Sequence, residues 1–426
     1  MAAIAIVGVA SIARWIFATF YQPSVSQDTG TYLQMADCLA DWSSSRCNGQ
    51  RTPVYPILMI LARADWGLVW GVQSGFGIAS SFLTYLIVWR VVRRVDVAFA
   101  AGLTHALALN QIVFEASIGP ESMTAFLLLA TCWVAIHFAD KGWTVGRAAG
   151  LGLMCAICVL SRPLYIVLLP LMLCWILLRD SGRRLVVAVG LIAVFTLPIL
   201  AWCAFNKATT GYFGMTTLIG YNLSNHSGRV MERAPDTVAQ IRDIYVKYRT
   251  LRAERGKGHE MTVFEARKEL LERTGMTEMQ LSRELARISV ELFFAHPLPY
   301  LRSVAEAWVS FWPVPHVLNR DMVARAGLLA WLDRIWWIER SLLLALNAGL
   351  LLIVVPVCAA LLLRDRWKYT EWQGLVLLIA IPLAASVMQA LLEFGENPRY
   401  SVPTQPFVAG AVAGALGLFI ARKRWT

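Results

Sequence analysis

Apolar residues in this chain fall into long runs, and polar residues are pushed to the ends of those runs. A helix needs about 20 apolar residues to span bilayer hydrocarbon. Ten stretches approach that: 2–21, 66–89, 97–114, 121–139, 148–161, 163–178, 185–205, 337–363, 372–392 and 403–421. The pattern predicts an all-α polytopic membrane protein with about 10 (10–12) transmembrane helices. The two runs beside Arg162 are short. The first run lacks a basic leader and a small-residue cleavage site, so it reads as a retained helix.

Two longer polar segments interrupt the runs. Segment 22–65 contains the brief apolar run 57–61, which suits an interfacial helix better than a span. Segment 206–336 shows helical spacing of Ile241, Ile244, Tyr245 and Tyr248, with Arg242, Lys247 and Arg249 interleaved. Amphipathic helices are therefore predicted between about 234 and 295. Gly256-Lys257-Gly258 predicts a break, and Thr262 with Glu265 a capping box. The apolar stretch 305–311, stopped by Pro313 and Pro315, reads as interfacial or as an eleventh span. The predicted organisation is an N-terminal transmembrane module (1–205), a helical extracytoplasmic segment (206–336) and a C-terminal transmembrane module (337–426).

Composition agrees with this reading. The chain is 57% hydrophobic and 16% charged, against about 25% charged in soluble domains, and its mean hydropathy is +0.55. The net charge of +11 does not point to nucleic acid, because the basic residues cluster at the ends of apolar runs. One set of short connections holds fourteen of them: Arg90, Arg93, Arg94, Lys141, Arg147, Arg179, Arg183, Arg184, Arg364, Arg366, Lys368, Arg422, Lys423 and Arg424. The opposite set holds five: Arg46, Arg51, Arg63, Arg162 and Arg399. The positive-inside rule then puts both termini in the cytoplasm and segments 22–65 and 206–336 outside. The predicted location is a bacterial inner membrane.

Candidate chemistry collects on the outer side. Asp28 opens a predicted helix, where an N-cap is the plain alternative to a catalytic role. Tyr32 follows on the same face. Arg51-Thr52-Pro53-Val54-Tyr55-Pro56 is stiffened by two prolines, which fix Arg51 and Tyr55 against the membrane surface. Such an Arg suits a phosphate, or anchors at the headgroups. Glu115 and Glu121 lie near the hydrocarbon boundary, where carboxylates need partners. Arg162 sits between two short runs, and Glu393, Glu396, Arg399 and Tyr400 between the last two. Arg14, inside the first run, is expected to snorkel to the interface. Cys38 and Cys47 share the first outer segment and could form a disulfide in an oxidising compartment. Cys155 and Cys158 read as packing residues inside a helix. No phosphate-cradling loop, dinucleotide fingerprint or metal-binding spacing is present, and the six histidines are scattered. Acids and bases from separate segments meeting at one depth imply a shared cavity.

At these residues the chain resembles the C-type (GT-C) membrane glycosyltransferases, notably bacterial relatives of the protein O-mannosyltransferases and the lipid A aminoarabinose transferase. The likeness lies in Asp28, Tyr32, Ala36, Arg51-Thr52-Pro53-Val54-Tyr55 and Glu121. It continues through Ser161-Arg162-Pro163, the 206–223 stretch and Glu396-Asn397-Pro398-Arg399-Tyr400. Thr29 departs from relatives with Asp-Glu at this point, and many relatives have more spans. The resemblance implies a sugar donor on a polyprenyl phosphate and an acceptor that is a lipid, glycan or protein. Asp28 would be the general base in an inverting displacement, with Glu121 orienting the substrate or tuning Asp28. Arg51, then Arg399 and Arg162, would hold the phosphate, and Tyr32, Tyr55 and Tyr400 would line the substrate site. No cofactor or metal is required on this scheme. The rivals are a secondary transporter or lipid flippase and an O-antigen-ligase-type glycan transferase. The sequence shows no visible repeat and few central charges in its apolar runs, whereas transporters tend to carry both.

Overall fold

The computed structural model describes residues 1–41, 47–177, 184–362 and 370–422. Of the charges used for orientation, Arg46, Arg179, Arg183, Arg364, Arg366, Lys368, Lys423 and Arg424 lie outside the described residues. Among the described residues the protein is helical and contains no β-strand. Two isolated bridge pairs, Tyr21 with Val323 and Ser24 with Ser117, tie loop segments together.

The N-terminal half runs through α1 (Ala2–Ala18), α2 (Gln27–Asp41), α3 (Val54–Leu61), α4 (Trp66–Val92), α5 (Val95–Ala106) and α6 (Leu109–Ala116). It continues with α7 (Glu121–Asp140), α8 (Val145–Ser161), α9 (Leu168–Leu177, preceded by a 3-10 turn) and α10 (Arg184–Thr210). Close crossings rest on small residues. A Cβ on Gly152 of α8 would lie 2.5 Å from the Leu191 carbonyl of α10, the small-residue contact that lets membrane helices approach closely.

Among the described residues six helical stretches are long and apolar enough to cross a membrane: Trp66–Val92, Glu121–Asp140, Arg184–Thr210, Ala326–Ala360, Gln373–Leu392 and Asn397–Ile420. These six, or seven if α5 and α6 are counted as one bent span, leave the expected count of about ten unconfirmed. The run 97–114 is broken by 44° between those two helices. The runs 2–21, 148–161 and 163–178 become Ala2–Ala18, Val145–Ser161 and Pro163–Leu177, of 17 residues or fewer. Ala2–Ala18 and Val145–Ser161, at 17 residues each, are at the short end of the lengths that span hydrocarbon, and Pro163–Leu177 ends where the described residues end. Apolar side chains such as Leu185, Val189 and Leu197 of α10 face outward, as befits a multi-pass membrane protein.

Arg14 does not snorkel. It is buried, and its Nε and Nη2 donate to both oxygens of Glu115 at 2.7 and 2.6 Å. Its Nη1 donates to the Ala10 and Ala106 carbonyls. The α5–α6 break brings the Ala106 carbonyl and the Glu115 carboxylate into reach of α1, so the buried guanidinium is paired and hydrogen-bonded. Gly77 of α4 makes the room, since a Cβ there would meet Glu115 Oε1 at 1.8 Å.

The segment after α10 packs as α11 (Ile219–Ser227), α12 (Ala239–Glu254), α13 (Thr262–Thr274), α14 (Glu278–Ala295) and α15 (Pro297–Phe311). It has its own apolar core, including Tyr221, Met231, Tyr245, Val263, Leu270, Leu281 and Ile288. A Cβ on Gly220 would strike the Ser282 carbonyl at 1.7 Å, so α11 lies hard against α14. Gly256 does follow the end of α12, with φ +70°. The expected capping box at Thr262 is absent, because Thr262 Oγ1 donates backward to the His259 carbonyl. The box forms instead at Thr277 and Gln280, at the start of α14. The chain then closes with α16 (Leu329–Gly349), α17 (Val355–Leu362), α18 (Thr370–Leu392), α19 (Asn397–Ser401) and α20 (Gln405–Arg422).

Candidate active site

Helix ends from distant parts of the chain converge at one end of the bundle: the starts of α2 and α7, the turn after α8, and the loop from α18 to α19. Asp28 lies in the first turn of α2, but it is not the cap. Thr29 Oγ1 accepts the Ser26 N–H at 2.9 Å, which leaves the Asp28 carboxylate for two guanidiniums. Arg51 Nη2 donates to Asp28 Oδ1 at 2.5 Å, and Arg399 Nη1 donates to Oδ2 at 2.6 Å.

Glu121, almost fully buried, sits one layer deeper. Its Oε1 accepts from Arg399 Nε and from Arg162 Nη2, both at 2.5 Å. Arg399 thereby bridges the two acids and also reaches Glu396 Oε2 at 3.2 Å. Aromatic faces hold the other guanidiniums: Arg51 stands 4.5 Å from the Tyr32 ring centroid and Arg162 4.8 Å from that of Tyr400. Tyr55 is wholly buried, donates to Gln73 Oε1 at 2.7 Å, and braces Tyr32 edge-on.

These groups floor a cavity of about 370 Å³. Asp28, Tyr32, Arg51, Arg162, Arg399 and Tyr400 line it, whereas Glu121 and Tyr55 stand behind the wall. Leu218, Ile219 and Asn222, from the 206–223 stretch, also line the cavity, together with Met261 and Phe264, which sequence reasoning missed. Nothing local marks Met261 and Phe264, since they reach the cavity only through the tertiary fold. Gln389 also lines the cavity, one helical turn before Glu393; that i, i+4 spacing was the available signal.

The disposition of hydrogen bonds separates the arginines. Arg162 is buried, yet its Nε and Nη1 have no partner among the described residues. Arg162 lines the cavity, with these two atoms buried in its wall, and unfilled guanidinium donors are the chemistry an oxyanion would take up. Burial raises the proton affinity of Asp28, but the guanidiniums of Arg51 and Arg399 outweigh it and hold the carboxyl below its usual range. No group of three or more His, Cys, Asp or Glu side chains that could hold a metal occurs among the described residues.

Cys38 and Cys47 form a disulfide. The segment after Cys47 is strapped to the outer helices: Thr217 N–H donates to the Gly49 carbonyl at 2.9 Å, and Thr216 Oγ1 to that of Gln50 at 2.8 Å. Cys155 and Cys158 are buried free thiols within α8.

Fold and site together define an all-helical, multi-pass membrane protein with a charged cavity beneath a helical cap. No family model and no curated protein matches the chain. Among solved structures it is similar to the archaeal oligosaccharyltransferase AglB from Archaeoglobus fulgidus, in complex with an inhibitory peptide and a dolichol-phosphate. That likeness has a TM-score of 0.48 at 13% identity, over 99% of this chain and 52% of AglB. This chain thus spans about half the length of that neighbour, and the likeness carries no weight in assigning an activity.

Proposed function

We propose that this protein is an inverting glycosyltransferase that moves a sugar from a polyprenyl-phosphate donor to an acceptor at the outer face of a bacterial inner membrane. The observation that carries this reading is Arg162, a buried guanidinium with two unfilled donors, lining the same cavity as the ion-paired Asp28. The donor phosphate supplies the partners that Arg162 lacks and draws Arg51 and Arg399 toward itself. Asp28, relieved of its guanidiniums, accepts the proton of the acceptor hydroxyl. The acceptor oxygen bonds to the anomeric carbon as the bond from that carbon to the phosphate oxygen breaks. The electron pair leaves on the phosphate, which needs positive charge and no proton.

Glu121, which holds Arg162 and Arg399 from behind the wall, is a positioning residue on this scheme, and no cofactor or metal enters it. Tyr32 and Tyr400 keep Arg51 and Arg162 in place, and Tyr55 supports Tyr32. The acceptor is a lipid, glycan or protein, and the helices between 206 and 336 cover it as a lid. The Cys38–Cys47 disulfide supports an extracytoplasmic cavity, because disulfides persist in oxidising compartments.

The test is turnover of a panel of polyprenyl-phosphate sugars by the purified protein. Asp28→Asn and Arg162→Ala are each expected to lower turnover by about 100-fold or more. Undiminished turnover by Asp28→Asn would remove it as the base. Failure to bind any such donor, with solute movement in vesicles instead, would replace the reading with a transporter.

A further inference from the structure

Three carboxylates line the cavity: Asp28, Glu393 and Glu396. Asp28 is held by Arg51 and Arg399, and Glu396 by Arg399. Glu393 has no cationic partner among the described residues. It is buried, at 7% exposure, and its carboxylate accepts hydrogen bonds from the Gln389 amide, at 3.2 Å, and from Tyr400. Burial raises its pKa, against the hydrogen bonds from Tyr400 and Gln389 and with the help of the nearby Glu396 and Asp28 charges.

A buried carboxyl without a counter-ion is expensive unless something else satisfies it. All three cavity arginines are committed to other acids, so Glu393 is not a spare member of the ion-pair network. Gln389 lies one turn earlier on α18, which places an amide and a carboxyl side by side on the cavity wall. An adjacent acceptor and amide match the mixed donors and acceptors of neighbouring hydroxyls on a sugar ring. Phe264 and Met261 add apolar surface to the same cavity lining, and a sugar ring has apolar C–H faces as well as a polar rim.

We infer that Glu393 and Gln389 form the subsite for the ring hydroxyls of the transferred monosaccharide, and so set which epimer is accepted. This rests on the glycosyltransferase reading and adds the residues that read the sugar. Arg162 sits beside Tyr400, which in turn contacts Glu393. The phosphate seat and the hydroxyl subsite are therefore neighbours, as a sugar phosphate requires. A site built to hydrogen-bond a hydroxyl rejects analogues that lack or misplace it, because its own polar groups are then left unpaired.

The experiment measures binding and turnover of polyprenyl-phosphate monosaccharides that differ at single ring hydroxyls, together with sugar-free polyprenyl phosphate. Wild type is compared with Glu393→Gln, which keeps the shape, and with Gln389→Ala. The expected result is a loss of discrimination between epimers of about tenfold or more in both variants. Affinity for sugar-free polyprenyl phosphate is expected to stay unchanged, showing that the variants fold and keep the phosphate seat. Wild-type discrimination retained in both variants would overturn the subsite and leave the transferase reading intact. Epimer-selective binding without transfer, lost in Glu393→Gln, would support the subsite and overturn the transferase reading. Wild type that binds none of these lipids would overturn both.

Discussion

Asp28 and Glu393 illustrate how the same functional group acquires opposite properties in one cavity. Two guanidiniums hold Asp28 in its charged form, while Glu393 has none and is pushed toward its neutral form. His226 is a third case, in the outer segment. It is buried, its Nδ1 meets Ser303 Oγ at 2.8 Å, and its ring stacks on Phe394. Burial first, with His259 adding to it, lowers its pKa to about 4. The unfolded chain takes up this proton nearer pH 6.5, so it binds more protons than the folded chain between the two values. Stability should therefore fall by about 3 kcal/mol as pH drops from 7 to 4. Asp28 adds to the acid sensitivity, since its stabilising contribution is present above the ordinary carboxylate pKa and is lost as pH falls through its lowered one. Thermal unfolding in detergent across this range, with His226→Gln for comparison, is expected to show a shallower slope in the variant. Equal slopes would mean that His226 does not titrate on unfolding.

At the scale of elements, the broken α5–α6 pair depends on a charge pair that no run of apolar residues could have announced. Removing Arg14 leaves Glu115 buried beside Gly77 with its ion-pair partner gone. Arg14→Met is expected to destabilise the protein by about 3–5 kcal/mol. Arg14→Met combined with Glu115→Gln should recover part of that loss, as read by thermal midpoint. Gly77→Ala should act like the Arg14 change, because its methyl group would occupy the space of the carboxylate. A Gly77→Ala protein with the wild-type midpoint would show that the helices shift apart freely here. The outer helices follow familiar rules: α14 opens with the Thr277–Gln280 capping box, and α13 ends at Gly275 in the left-handed conformation.

At the scale of the whole molecule, the Cys38–Cys47 disulfide and the strap to Thr216 and Thr217 couple the first outer segment to the cap. Closing so short a loop is worth about 2–3 kcal/mol in the chain-entropy account. The Cys38→Ser, Cys47→Ser protein should lose about that much stability, and its donor turnover should drop as Arg51 loosens. Reporter fusions can test the orientation: a fusion at residue 426 should report the cytoplasm, and one inserted near residue 257 the opposite side. Both reporters on one side would overturn the proposed topology. The membrane class, the helical segment between the apolar runs, and the convergence of Asp28, Arg51, Glu121, Arg162 and Arg399 were legible in the sequence. Hydropathy and charge sidedness are properties of short stretches, and the bilayer imposes them residue by residue. The 44° break between α5 and α6 was not legible, because a run's composition does not say where its helix will break. Nor did the sequence reveal that Arg14 pairs with Glu115, that Arg399 bridges Asp28 and Glu121, or that α11 and α13 wall the cavity. Those contacts join residues about 100 to 370 positions apart. Only the packed helices decide which guanidinium is spent on which acid, and which, like that of Arg162, is left with donors for a ligand.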